Sequence, residues 1–114
     1  MANPLACAVS RSSVDLLLST PWETMVKDIE QQLLAELAVY RHYEVVTDVR
    51  VIGAIGVVET RNPVPIERVQ NAIVDAGVWI RPFRNLIYVM PPFVIESNDL
   101  SGVTNAIGQG LKSM

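Results

Sequence analysis

One stretch limits what this chain can fold into. From Val45 to Thr60 it reads VVTDVRVIGAIGVVET. Branched side chains of this kind lose rotamer freedom in a helix and pack well on a pleated surface. Asp48 and Arg50 alternate with valines, the period of a strand with one covered face. Gly53 and Gly56 predict a bulge or a close backbone approach, and a second strand segment follows through Val57 and Val58. RNPVP then ends the run as a turn. A two-stranded ribbon cannot bury a face by itself, so the flanks have to supply the cover.

They read as helices. Asn3-Pro4 is an N-cap followed by proline at the first helical position, which predicts a helix from Pro4 to about Leu18 with small residues, Ala6, Cys7 and Ala8, in its first turns. TPWE gives a second start, with Thr20 as cap, Pro21 at the first position and Glu23 as the capping-box acid. Trp22, Met25, Val26, Ile29, Leu33, Leu37 and Tyr40 then recur at three- and four-residue steps, and Lys27, Asp28, Glu30, Gln31 and Glu36 fall mostly off that face. Pro65 opens a short helix on Ile66, Val69, Ile73 and Ala76, with Gly77 as its left-handed C-cap. VWIRP and LIYVM predict two further short strands joined by Phe83, Arg84 and Asn85. SNDL caps a last helix bearing Leu100, Val103, Ile107 and Leu111, which Gly108 and Gly110 weaken by roughly 1 kcal/mol each relative to alanine. The predicted order is helix, helix, strand, strand, helix, strand, strand, helix. That is an α+β domain, an antiparallel or mixed sheet with helices packed on one side.

The 114 residues suffice for a single domain, residues 1–114. Half are hydrophobic and the mean hydropathy is +0.30, yet the longest uncharged span, Leu86 to Ile95, is broken by Pro91 and Pro92. A membrane helix needs about 20 apolar residues, so no membrane partner is expected. MANPLACAVSR carries no basic segment ahead of its apolar stretch, which argues against a secretory signal and for a cytoplasmic location. A net charge of −3 with scattered basic residues predicts no nucleic-acid partner. The single cysteine, Cys7, and the single histidine, His42, exclude an internal disulfide and a Cys- or His-based metal site. The apolar excess then has two explanations: a tightly packed domain, or a piece of something larger whose interface is read as surface.

Few residues are candidates for chemistry. No helix start follows Gly53-Ala54-Ile55-Gly56, so it is not a phosphate-cradling loop. His42 reads as a solvated residue at a helix end, and Cys7 as a buried packing group. Asp48 and Glu59 read as a solvated strand face, and no Ser/His/Asp spacing supports a nucleophile. Arg81, inside GVWIRPF, stands out because a guanidinium keeps its charge, and burying one without an anion costs several kcal/mol. Either its stem lies along Trp79 or Phe83 with the head in solvent, or it awaits a carboxylate against an apolar wall. The residues alone leave both readings open.

NPLACA, DVRVIGAIGVVET, GVWIRPF and LIYVMPPFVI, in that order and at that spacing, resemble the C-terminal part of the class III pyridoxal-phosphate-dependent aminotransferases, specifically their biotin-pathway branch. The resemblance runs from Asn3 to about Leu111. It implies the small C-terminal domain of a fold-type I transferase. It also implies transfer of the amino group of S-adenosylmethionine to 8-amino-7-oxononanoate, giving 7,8-diaminononanoate. Arg81 aligns with the family arginine that holds the substrate carboxylate. Pyridoxal 5'-phosphate belongs to the complete enzyme, a homodimer, and none is expected on this chain alone. The family's Schiff-base lysine, the acid partner of the pyridine nitrogen and the phosphate contacts belong to sequence preceding Met1, which itself coincides with a family methionine. Lys27 and Lys112 lie in no family motif, so the chain alone is expected to be inactive, to self-associate or to pair with the missing large domain. The alternative is a stand-alone, non-catalytic binding module that keeps the domain fold. Two positions depart from the family: Ala2 replaces a glycine before Asn-Pro, and Arg84 stands where glycine is common, adding a cation near Arg81.

Overall fold

In the computed structural model, which describes residues 2–114, the β-branched run folds into a hairpin; Met1, matched above to a family methionine, lies outside the described residues. Its strands are β1 (Val46–Ile52) and β2 (Ile55–Thr60), paired antiparallel. Of the two glycines expected to mark a bulge or a close backbone approach, Gly56 makes the approach and Gly53 has a different role. Gly53, at φ +52°, makes the tight turn between Ile52 and Ile55, a backbone region that L side chains disfavour. Gly56 lets the sheet approach Leu37, whose Cδ1 would lie 2.8 Å from an added Cβ. The register irregularity falls elsewhere, between Val46 and Asp48. A third strand, β3 (Leu86–Val89), pairs antiparallel with β2 and gives the order β1-β2-β3.

VWIRP is not a strand. Phe83 and Leu86 bond each other around Arg84-Asn85, N···O 2.9 and 2.8 Å, and there the ladder stops. Continued in register it would set Arg81 against Tyr88, and the two segments diverge instead. Burial still alternates, with Ile80 and Pro82 inside and Trp79, Arg81 and Phe83 outside. An extended segment lying on a core carries the same period of two as a strand. Only a backbone partner distinguishes them.

The helices are α1 (Pro4–Leu18), α2 (Trp22–Leu37), α3 (Ile66–Asp75) and α4 (Ser97–Lys112), with a 3-10 turn at Ala38–His42. Ile29, Leu33 and Leu37 of α2, Val69 and Ile73 of α3, and Leu100, Ile107 and Leu111 of α4 share one hydrophobic cluster with Val46, Val49, Val58, Ile87 and Val89 of the sheet. The opposite sheet face carries Arg50, Glu59 and Tyr88. Asn3 caps α1 as expected, its Oδ1 accepting from the N–H groups of Leu5 (3.0 Å) and Ala6 (3.4 Å). Gly77, φ +85°, ends α3 in a Schellman motif: its N–H donates to Val74 (2.8 Å) and that of Val78 to Ile73 (3.2 Å). Thr20 does not cap α2. Its hydroxyl turns back to the Leu17 carbonyl at 2.8 Å, and Pro21 holds the cap position with no side-chain bond.

No residue of α1 is buried. Leu5 and Leu16 are 73% and 68% exposed, and Cys7, expected as a packing group, is exposed too. The projecting helix stretches the molecule to 48 × 31 × 23 Å, with a radius of gyration of 16.2 Å where a compact chain of this length has about 13 Å. No helix among the described residues is long and apolar enough to cross a membrane.

Candidate functional site

The divergence of the Val78–Pro82 segment from β3 opens a groove of about 350 Å³. Trp79, Ile80 and Arg81 line one side, Tyr88 and Met90 the other, and Val103 of α4 also contributes. The Schellman turn after α3 launches the first segment, and the Phe83–Leu86 bridge returns the chain into β3, so both walls hang from well-anchored ends. The lining is mostly aliphatic and aromatic with one cation. Arg81 is exposed, and the ion pairs among the described residues engage Arg11, Arg41 and Arg50 but not Arg81. Its guanidinium is therefore free to form the paired hydrogen bonds that a carboxylate offers, beside a surface that sheds water.

Arg84, the second cation, has another role. It sits at φ +54°, the first position of a two-residue turn, where glycine is favoured. Its guanidinium carbon lies 5.7 Å from the centroid of the Phe83 ring, a cation–π contact, and the Phe83–Leu86 bridge closes around it. The hairpin therefore accommodates an arginine at a turn position that favours glycine.

The remaining candidates stay apart. Lys27 is exposed on α2 and Lys112 is exposed at the last turn of α4; neither lines the groove. Pyridoxal phosphate needs a lysine to form its Schiff base, and neither lysine is placed to offer one at the groove. His42 is exposed at the end of the 3-10 turn. Among the described residues no group of three or more His, Cys, Asp or Glu side chains could hold a metal. Asp48 and Glu59 do converge, on Arg50: its Nη1 lies 2.8 Å from Asp48 Oδ2 and 2.6 Å from Glu59 Oε2. Hydrogen bonding from Arg50, then from the Val49 N–H, holds the Asp48 carboxyl below its usual range.

The sequence reading missed Glu36. Its carboxylate accepts from Gln32 Nε2 (3.0 Å), Ser101 Oγ (2.6 Å) and Thr104 Oγ1 (2.6 Å), tying α2 to α4. Burial acts to raise its pKa, and the three donors outweigh that, leaving it below the ordinary glutamate value. The signal was present: Glu36 lies three residues after Leu33 and four before Tyr40, on the inward face.

This fold occurs in transaminases. A "novel thermostable (S)-enantioselective omega-transaminase from Thermomicrobium roseum" aligns with a TM-score of 0.86 over 96% of this chain and 27% of that one, at 22% identity. An omega transaminase from Pseudomonas jessenii in complex with PMP gives 0.85 over 96% and 26%, at 15% identity. Residues 1–111 match the family model described as aminotransferase class-III, and the chain belongs to that family. Similar curated proteins carry a more particular name, adenosylmethionine-8-amino-7-oxononanoate aminotransferase. The one from Corynebacterium glutamicum is 46% identical over 98% of this chain and 26% of its own length. Those from Buchnera aphidicola and Saccharomyces cerevisiae are 44% and 40% identical, over 97% and 94% of this chain and 26% and 24% of their own lengths. The chain thus spans about a quarter of the curated relatives it matches.

Proposed function

We propose that this chain is the small C-terminal domain of a biotin-pathway aminotransferase that moves the amino group of S-adenosylmethionine to 8-amino-7-oxononanoate, and that Arg81 holds the substrate carboxylate. The carrying observation is the exposed, unpaired Arg81 beside an apolar groove. The acceptor is an alkyl chain ending in a carboxylate, so the groove matches the chain and the guanidinium its end. The names of the relatives support the reaction. Pyridoxal phosphate would carry the amino group in the complete enzyme, and neither Lys27 nor Lys112 is placed to anchor it, so this chain alone is inactive on this reading. A pyridoxal-phosphate absorbance band abolished by changing either lysine would refute that.

A second reading, a binding module without chemistry, is favoured by one observation: α2, α3, α4 and the sheet bury a complete core without another domain. Calorimetric titration of 8-amino-7-oxononanoate into the chain and into its Arg81→Ala variant tests both readings. Heat from the parent that the variant lacks supports the carboxylate contact, and equal heats from the two overturn it. No heat from either refutes the stand-alone module.

A further inference from the structure

One rung of the outer edge of β1, at Val49, is occupied by side chains. In the hairpin register, Arg50 bonds Val57 across the ribbon, so the N–H and C=O of Val49 and Val51 point away from β2. An unpaired edge of this kind is a template for another strand. At Val49 both groups are taken. Asp48 Oδ1 accepts the Val49 N–H at 2.8 Å, and Arg41 Nη2 donates to the Val49 carbonyl. The two side chains are themselves joined, Arg41 Nη1 to Asp48 Oδ1 at 3.2 Å. Arg50 holds the second Asp48 oxygen at 2.8 Å, and the register shift between Val46 and Asp48 breaks the ladder beside the clamp. Across the sheet, β3 is bonded at Leu86 by Phe83 and is followed by Pro91 and Pro92.

We propose that the Arg41–Asp48 pair is an edge guard, which keeps a second copy of this chain from adding a strand to β1. Without it, Val49 and Val51 present two consecutive free rungs on a β-branched strand. The observation is independent of the groove and of the aminotransferase reading, so the proposal stands or falls separately from them.

The test compares the parent chain with the Arg41→Ala/Asp48→Ala variant by sedimentation velocity over a range of concentrations, and by hydrogen exchange at the Val49 amide. Both substituted side chains are partly exposed. Exchange at Val49 is expected to speed up roughly fivefold to tenfold, the loss of one hydrogen bond. The average mass should rise with concentration above that of the parent. Adding Val51→Pro removes an outward N–H and no bond to β2, and should return the mass to the parental curve; in the parent, Val51→Pro should change neither mass nor circular dichroism. Should the double variant lose its helical signal, Arg41→Ala alone goes through the same mass comparison. A mass curve indistinguishable from the parent, or an excess that survives Val51→Pro, overturns the proposal; the latter places association on another surface, such as α1.

Discussion

Replacing Gly108 by alanine tests whether packing or propensity governs the end of α4. Propensity alone favours alanine by about 1 kcal/mol in a helix interior. The structure reverses the sign. A Cβ on Gly108 would lie 2.5 Å from Tyr40 Oη and 3.0 Å from Cε1 and Cζ. Tyr40 is buried, and its hydroxyl donates to the Thr104 carbonyl at 2.6 Å, so the ring cannot withdraw without giving up that bond. Overpacking costs about 1–3 kcal/mol and a lost hydrogen bond about 1 kcal/mol. Set against the propensity gain, Gly108→Ala should destabilise by about 1–3 kcal/mol. Gly102→Ala, in the same helix with nothing within 4 Å, is the control and should stabilise by about 1 kcal/mol. Urea unfolding at one fixed protein concentration, followed by helical circular dichroism, reads both as shifts in midpoint at constant slope. Tyr40→Phe combined with Gly108→Ala should cost less than the sum of the single changes, because the nearest clashing atom is gone. If Gly108→Ala raises the midpoint as Gly102→Ala does, the close approach of Tyr40 to α4 is wrong.

Because φ at Arg84 is +54°, Arg84→Gly should be close to neutral or slightly stabilising, while Arg84→Val should unfold at lower urea than the parent by about 1–2 kcal/mol; equal midpoints for all three would remove strain from the account. The folded-state pKa of Glu36 lies below its unfolded value, so its contribution is complete at neutral pH and disappears as pH falls through the folded value; because solvent screens this part-exposed carboxylate, Glu36→Gln should cost no more than about 1 kcal/mol at pH 7 and should flatten the acid limb of a stability–pH curve, and parallel curves for the two proteins would contradict this. The apolar side chains of α1 should drive self-association, so Val9→Glu with Leu16→Glu should lower the mass seen by light scattering at high concentration; a parent chain that is monomeric throughout would count against the prediction.

The sequence by itself determined what is settled within a few residues. The Asn3-Pro4 start, the Gly77 end of α3, the apolar period of α2 and the pleated run after Val45 all follow from local sterics and capping, and all stand in the structure. The four motifs in order also carried the family, and residues 1–111 match it. Tertiary structure decided what depends on partners far along the chain. VWIRP has strand periodicity, yet it became a groove wall because β3 diverges from it beyond one bridge. Glu36 meets Thr104 across 68 positions, and Tyr40 lies against Gly108 through a bond spanning 64 to Thr104, so neither contact is written in local composition. A residue's period shows which side it faces. What stands on that side is set by chain crossings that only the fold supplies, and that is why the residues around Arg81 left two readings of it open while the groove beside it had to await the fold.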